Sequence, residues 1–121
     1  MVRSARYLGA AALLGAGIVH LQQYAGAEYS VIPTIGTLFV LNFAASTVLA
    51  VALFAPVRRR AAQLVAAAGI GLAISSLAAL LVSEHTPLFG FMESGYRQAI
   101  VLAIALEGAA AVLLGTYVAR A

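Results

Sequence analysis

Glu107 is the residue whose type and place most demand a chemical explanation. It is the only charge in the apolar run from Gln98 to Ala119, and an ionised carboxyl at bilayer depth costs ~2.5 to 3.5 kcal/mol on membrane-insertion scales. Asn42, Ser46, Thr47, Ser75 and Ser76 fall at comparable depth in other apolar runs, where any of them can hydrogen-bond a carboxyl, and no basic residue falls there. Burial without a cation favours a neutral, hydrogen-bonded acid. Two readings follow: a polar clasp between helices, or a carboxyl that carries a proton or binds a cation.

A second set of reactive types gathers where apolar runs end. His20, Gln23 and Tyr24 share one helical face by three- and four-residue spacing, Glu84 and His85 close the third run, and Tyr96 and Arg97 open the fourth. Imidazoles and carboxylates are ligand types for zinc, copper or haem iron. His20 and His85 are therefore the candidate metal or haem ligands, with Glu84, Glu93 or Tyr24 available to complete a shell. No H-x-x-x-H or H-E-x-x-H element is present, so the alternative is a hydrogen-bonded His20 and an exposed His85.

Other chemistries are excluded. The chain has no cysteine, which removes disulfides, thiolate metal sites and thiol nucleophiles. It has no G-x-S-x-G, P-loop or dinucleotide-binding glycine motif. No catalytic residue is assigned. All basic residues are arginine, and lysine and aspartate are absent, which we read as the coding bias of a GC-rich bacterial genome.

The elements that must position these residues are membrane helices. Of the 121 residues, 64% are hydrophobic and 9% charged, against about 25% charged in an ordinary soluble domain. A bilayer core of ~30 Å needs ~20 apolar residues in a helix, and four segments meet or approach that length: Tyr7 to Tyr24, Ile32 to Phe54, Ala61 to Ser83 and Gln98 to Ala119. Pro33 suits the first turn of the second span, Pro56 and Pro87 follow the second and third, and Ser94 is a candidate N-cap for the fourth. The expected fold is all-α: one domain, a four-helix transmembrane bundle running up-down-up-down through short loops.

Charge orients it. Arg3, Arg6, Arg58, Arg59, Arg60 and Arg120 fall on one side of a four-span arrangement, and Arg97 alone falls on the other with Glu28, Glu84 and Glu93. The positive-inside rule places both termini and the middle loop in the cytoplasm, in a plasma membrane that the bacterial composition makes an inner membrane. Tyr7 and Tyr117 then fall at the inner boundary, and Tyr24, Tyr29 and Tyr96 at the outer one, where amphipathic rings belong. The net charge of +3 is spread over helix ends and implies no nucleic-acid partner. A competing reading takes the first span as a signal peptide, with Ala25-Gly26-Ala27 as the cleavage site.

Helices in lipid associate by close backbone approach, which small residues allow. Ala11 with Gly15, Ala67 with Gly71, and Ala99, Ala103, Glu107, Ala111 and Gly115 are the small faces expected to pack, the last set putting Glu107 on a packing face. The outer loop Thr86 to Glu93 carries Leu88, Phe89, Phe91 and Met92. It is expected to fold back on the bundle or sit among headgroups, with a partner-docking patch as the alternative.

With IPTIGTLFVLN (Ile32 to Asn42), His20 upstream and LFGFME (Leu88 to Glu93) downstream, the chain resembles a group of small four-helix membrane proteins of actinobacterial type. That group has no established activity, so the resemblance assigns no role to any residue. The chain also resembles the small multidrug resistance transporters in size, helix number and possession of one intramembrane glutamate. It departs from them in carrying that glutamate in the fourth helix instead of the first and in its strong arginine bias. The function expected on these grounds is a non-catalytic accessory or scaffold subunit with a membrane-protein partner or a second copy of itself. The alternatives are a proton- or cation-coupled small transporter using Glu107, and a haem or divalent-metal protein using His20 and His85.

Overall fold

The computed structural model describes residues 2–26, 34–88 and 98–120. Glu28, Tyr29, Ile32 and Pro33 lie outside the described residues, as do Phe89, Phe91, Met92, Glu93, Ser94, Tyr96 and Arg97 with the expectations attached to them. All described elements are helical: α1 (Val2–Gly26), α2 (Ile35–Phe54), α3 (Arg59–His85) and α4 (Gln98–Arg120). Each is long and apolar enough to cross a membrane, which is the architecture of a multi-pass membrane protein.

α1 and α3 run past the expected apolar limits into their arginine-bearing flanks, since arginine is a good helix former and water can satisfy a helix end beyond the hydrocarbon. Two ends follow one rule. Ala55 and Thr86, each preceding a proline, are extended (φ −76°, ψ 154° and φ −153°, ψ 152°), and their N–H groups close the last turns onto Val51 and Val82. Proline bars the α conformation from the residue before it, so both helices stop there.

The helices form a ring in which α1 packs mainly on α4 and α2, and α3 on α4; α2 against α3 is the sparsest neighbouring pair, and α2 does not meet α4. One end of the ring is tightly joined. Arg6 donates from Nε to the Leu53 carbonyl (2.8 Å) and from Nη2 to the Ala55 carbonyl (2.8 Å), bridging the start of α1 to the end of α2. These are carbonyls that a helix terminus leaves without an internal donor. Tyr7 stacks on Phe54 with ring centroids 6.0 Å apart. Around them lies the core of Ala10, Leu13, Leu53, Ala62, Ala66 and Leu114, all essentially fully buried.

Outward-facing positions carry large apolar side chains, among them Leu41, Val48, Val51, Leu64, Ile74 and Val112. This surface suits lipid, while alanine and glycine occupy the contacts between helices. The expected packing faces are corrected in detail. Ala11, Ala67 and Gly71 are exposed, whereas Ala10, Leu13, Ala62, Ala66, Gly69 and Ala73 point inward. On α4 the inner face is Ile100, Ala103, Glu107, Ala110, Leu114 and Tyr117. A strict four-residue repeat advances about 40° per step around an α-helix, so Ala111 falls at the edge of the face that Ala103 and Glu107 define, still half-buried against the core, and Gly115 rotates off it. Tyr117, near the end of α4 where the inner boundary is expected, turns into the bundle and is buried in the core.

Candidate functional site

The other half of the ring is hollow. A cavity of about 110 Å³ lies among all four helices, and Glu107, Asn42, Ser76 and His20 all line it. Counting from the helix ends at 1.5 Å per residue, Glu107 stands roughly 14 Å below the start of α4 and Ser76 roughly 14 Å from the end of α3. Asn42 lies roughly 10 Å inside α2 and His20 roughly 9 Å inside α1. Gln23, Ile35, Ser83 and Leu88 line the part nearest those ends. The walls between are apolar, with Leu38, Phe39, Leu80 and Ile100 contributing most of the bulk.

Glu107 is 2% exposed, and neither carboxyl oxygen has a hydrogen-bond partner among the described residues. The expected clasp through this acid is therefore not formed. A clasp exists elsewhere: Asn42 Nδ2 donates to Ser76 Oγ (2.5 Å) and Ser46 Oγ donates to Asn42 Oδ1 (3.3 Å), tying together α2 and α3, the most sparsely packed neighbours in the ring. Asn42 is satisfied on both sides of its amide. Ser75 is exposed and donates to the Leu72 carbonyl of its own helix, and Thr47 donates to Phe43 in the same way. Of the five polar side chains expected near the acid, Asn42 and Ser76 share its cavity; Ser46, Thr47 and Ser75 do not line it.

The histidines are separated by environment. His20 Nδ1 lies 2.8 Å from the Ala16 carbonyl. A carbonyl only accepts, so Nδ1 carries the proton, and in the neutral ring Nε2 is left as an acceptor. The ring meets Phe39 edge-on at 4.9 Å. His85 is exposed at the end of α3 and does not line the cavity. The pair proposed as metal or haem ligands thus does not share this site, and no group of three or more His, Asp or Glu side chains able to hold a metal occurs among the described residues.

Sequence reasoning treated Glu107 and His20 as members of two unrelated constellations, and the fold puts them on one cavity. It missed Phe39, Leu80 and Ile100 as walls. The 3-4-3 spacing of Ile100, Ala103, Glu107 and Ala110 is the signal that would have marked the inner face of α4. It also missed Gly17, where an added Cβ would lie 2.6 Å from Ser46 Cβ, so that α1 meets α2 closely just below His20. Comparison with protein-family models, with curated proteins and with solved structures returns no match for this chain, which leaves the cavity's own geometry as the basis for reading it.

Proposed function

We propose that this protein is a proton- or cation-coupled small membrane transporter in which Glu107 is the loading group. The observation that carries the reading is the Glu107 carboxyl, fully buried, lining a cavity, and without a hydrogen-bond partner among the described residues. A buried polar group left unpaired costs about 1 to 3 kcal/mol, and a group held at that cost calls for an explanation beyond packing. A proton or a cation that comes and goes supplies one. The accessory-subunit reading drew on Phe89 and Phe91, which lie outside the described residues, so the described structure favours the cavity over that loop.

Orientation belongs to the same proposal. The arginine bias puts both termini, the Arg58 to Arg60 segment and the Arg6 junction in the cytoplasm, in a bacterial inner membrane, so the packed end faces in and the cavity faces out. An impermeant thiol reagent should then label Thr86→Cys but not Gln63→Cys in intact cells. The transport reading is tested in proteoliposomes. A pH-driven or cation-driven flux should appear with the intact chain and vanish in Glu107→Gln, which keeps the shape of the side chain and removes its titration. Flux that persists in the variant, or no flux from the intact chain, would discard it.

A further inference from the structure

We infer that the cavity takes a primary alkylammonium group, with the ammonium on Glu107 and the alkyl body against the apolar walls. The inference rests on the transport reading for its biological setting, but its argument is one of hydrogen-bonding valence. Asn42 is satisfied by Ser46 and Ser76. Among the described residues the buried cavity atoms without a partner are both oxygens of Glu107, which are acceptors once ionised, and Nε2 of His20, whose partner nitrogen is committed to Ala16, adds acceptor character nearby. A ligand must therefore bring N–H donors. No arginine among the described residues lines the cavity, and Arg6 is engaged with α2 carbonyls at the opposite end, so the positive charge falls to the ligand.

Size and wall chemistry narrow the class. At ~30 Å³ for each water-sized group, the cavity holds about three or four such groups, which matches an ammonium with a short carbon chain. A bare alkali or alkaline-earth ion does not suit it. Such ions ask for six or more oxygen ligands at once, and among the described residues the lining is mostly apolar, with Leu38, Phe39, Leu80 and Ile100 supplying none and the Asn42 and Ser76 oxygens already in the α2–α3 clasp. Loading is an exchange: Glu107–COOH and R–NH₃⁺ give the Glu107 carboxylate paired with R–NH₃⁺, and one proton leaves to solvent. Of the described groups lining the cavity, Glu107 on α4 and His20 on α1 are the titratable ones; α1 also contributes Gln23, α2 contributes Asn42, and α3 contributes Ser76 and Ser83.

A primary ammonium can belong to a soluble amine or to a phosphatidylethanolamine headgroup, and the test separates the two. Calorimetry on the full chain in phosphatidylcholine nanodiscs should show n-propylammonium binding one to one, with release of one proton read from the dependence of the heat on buffer. Tetramethylammonium has the same charge and no N–H donor, and should bind at least tenfold more weakly. Glu107→Gln should weaken n-propylammonium at least tenfold, and so should Ala103→Leu, which fills the cavity while keeping the acid. Loss of n-propylammonium binding when phosphatidylethanolamine is added to the discs assigns the site to the headgroup; unchanged binding assigns it to a soluble amine. Equal affinity for the two ammonium ions, binding retained in Glu107→Gln, or no binding by the intact chain in phosphatidylcholine discs overturns the inference. Flux without amine binding would leave the transport reading standing alone, and amine binding without flux would leave the site standing and remove transport.

Discussion

The end of the molecule that holds Arg6 and the end that holds His20 are built from the same four helices, yet they solve packing in opposite ways. Near Arg6, alanines at positions 10, 62, 66 and 110 let the backbones close on Leu13, Leu53 and Leu114, and the free carbonyls at the end of α2 are met by a guanidinium. Near His20, bulky and small side chains together leave a void, and the acid at its depth has no partner among the described residues. Lipid offers no hydrophobic drive to close such a gap, because an apolar wall gains as little from its neighbours as from acyl chains. A cavity can persist in a membrane bundle wherever bulky side chains such as Leu38, Phe39, Leu80 and Ile100 hold the helices apart around small ones such as Ala79, Ala99 and Ala103. The difference teaches that rigidity and a site can be segregated along one short bundle, the first where alanines close on buried leucines, the second where alanines stand among bulky walls and polar groups that leave a gap.

The contrast is open to experiment, first by truncation. Leu114→Ala removes a side chain that is fully buried between α1, α3 and α4, and should cost about 2 to 4 kcal/mol through lost contacts and a new void. Leu80→Ala enlarges a void that already exists and should cost less than half as much. Denaturant titration in mild detergent micelles measures both, and equal losses would erase the distinction between the two ends.

Added volume probes the boundary between them. Gly17→Ala drives a methyl group against Ser46 Cβ, which has no freedom to retreat, and should destabilise by about 1 to 3 kcal/mol while straining the Ser46–Asn42–Ser76 chain. Gly71→Ala meets nothing within 4 Å and should be neutral or stabilise by up to about 1 kcal/mol through helix propensity. A loss of stability at position 71 in the monomeric protein would show that this surface is not free.

The smallest effect expected has an informative sign. Glu107→Met replaces the acid by an apolar side chain of similar length, and should raise stability by about 1 kcal/mol by removing a desolvated group that no partner among the described residues satisfies. Were Glu107 a clasp, the same change would lower stability. Stability that rises while flux disappears is the signature of a residue kept for function at the expense of packing.

The candidate site was legible in its parts and not in its assembly. Glu107 stood out because a charge in an apolar run is costly whatever surrounds it, Asn42 and Ser76 stood out as polar atoms at membrane depth, and His20 stood out as a reactive group where the first apolar run ends. Which of them share a space depends on the rotation of each helix about its axis. In α2, where Leu41, Val48 and Val51 face out and Ile35, Ala50 and Leu53 face in, apolar residues occupy both sides, and composition leaves that rotation open. The same ambiguity placed Ser75 beside Ser76 as an equal candidate, although one position of 100° sends its hydroxyl to the exposed surface.

By itself the sequence determined that there are four apolar helices, that two of them stop at the residue before a proline, and that one carries a lone acid, because helix length, proline geometry and charge are local properties of the chain. Only the tertiary structure decided that His20 and Glu107 face one cavity while His85 does not, that the polar clasp joins Asn42 to Ser76, and that Tyr117 belongs to the core. In water a hydrophobic face would have announced which side of each helix turns inward. In lipid that gradient is nearly absent, and the choice falls to the fit of small residues against their neighbours, which exists only once the helices have met.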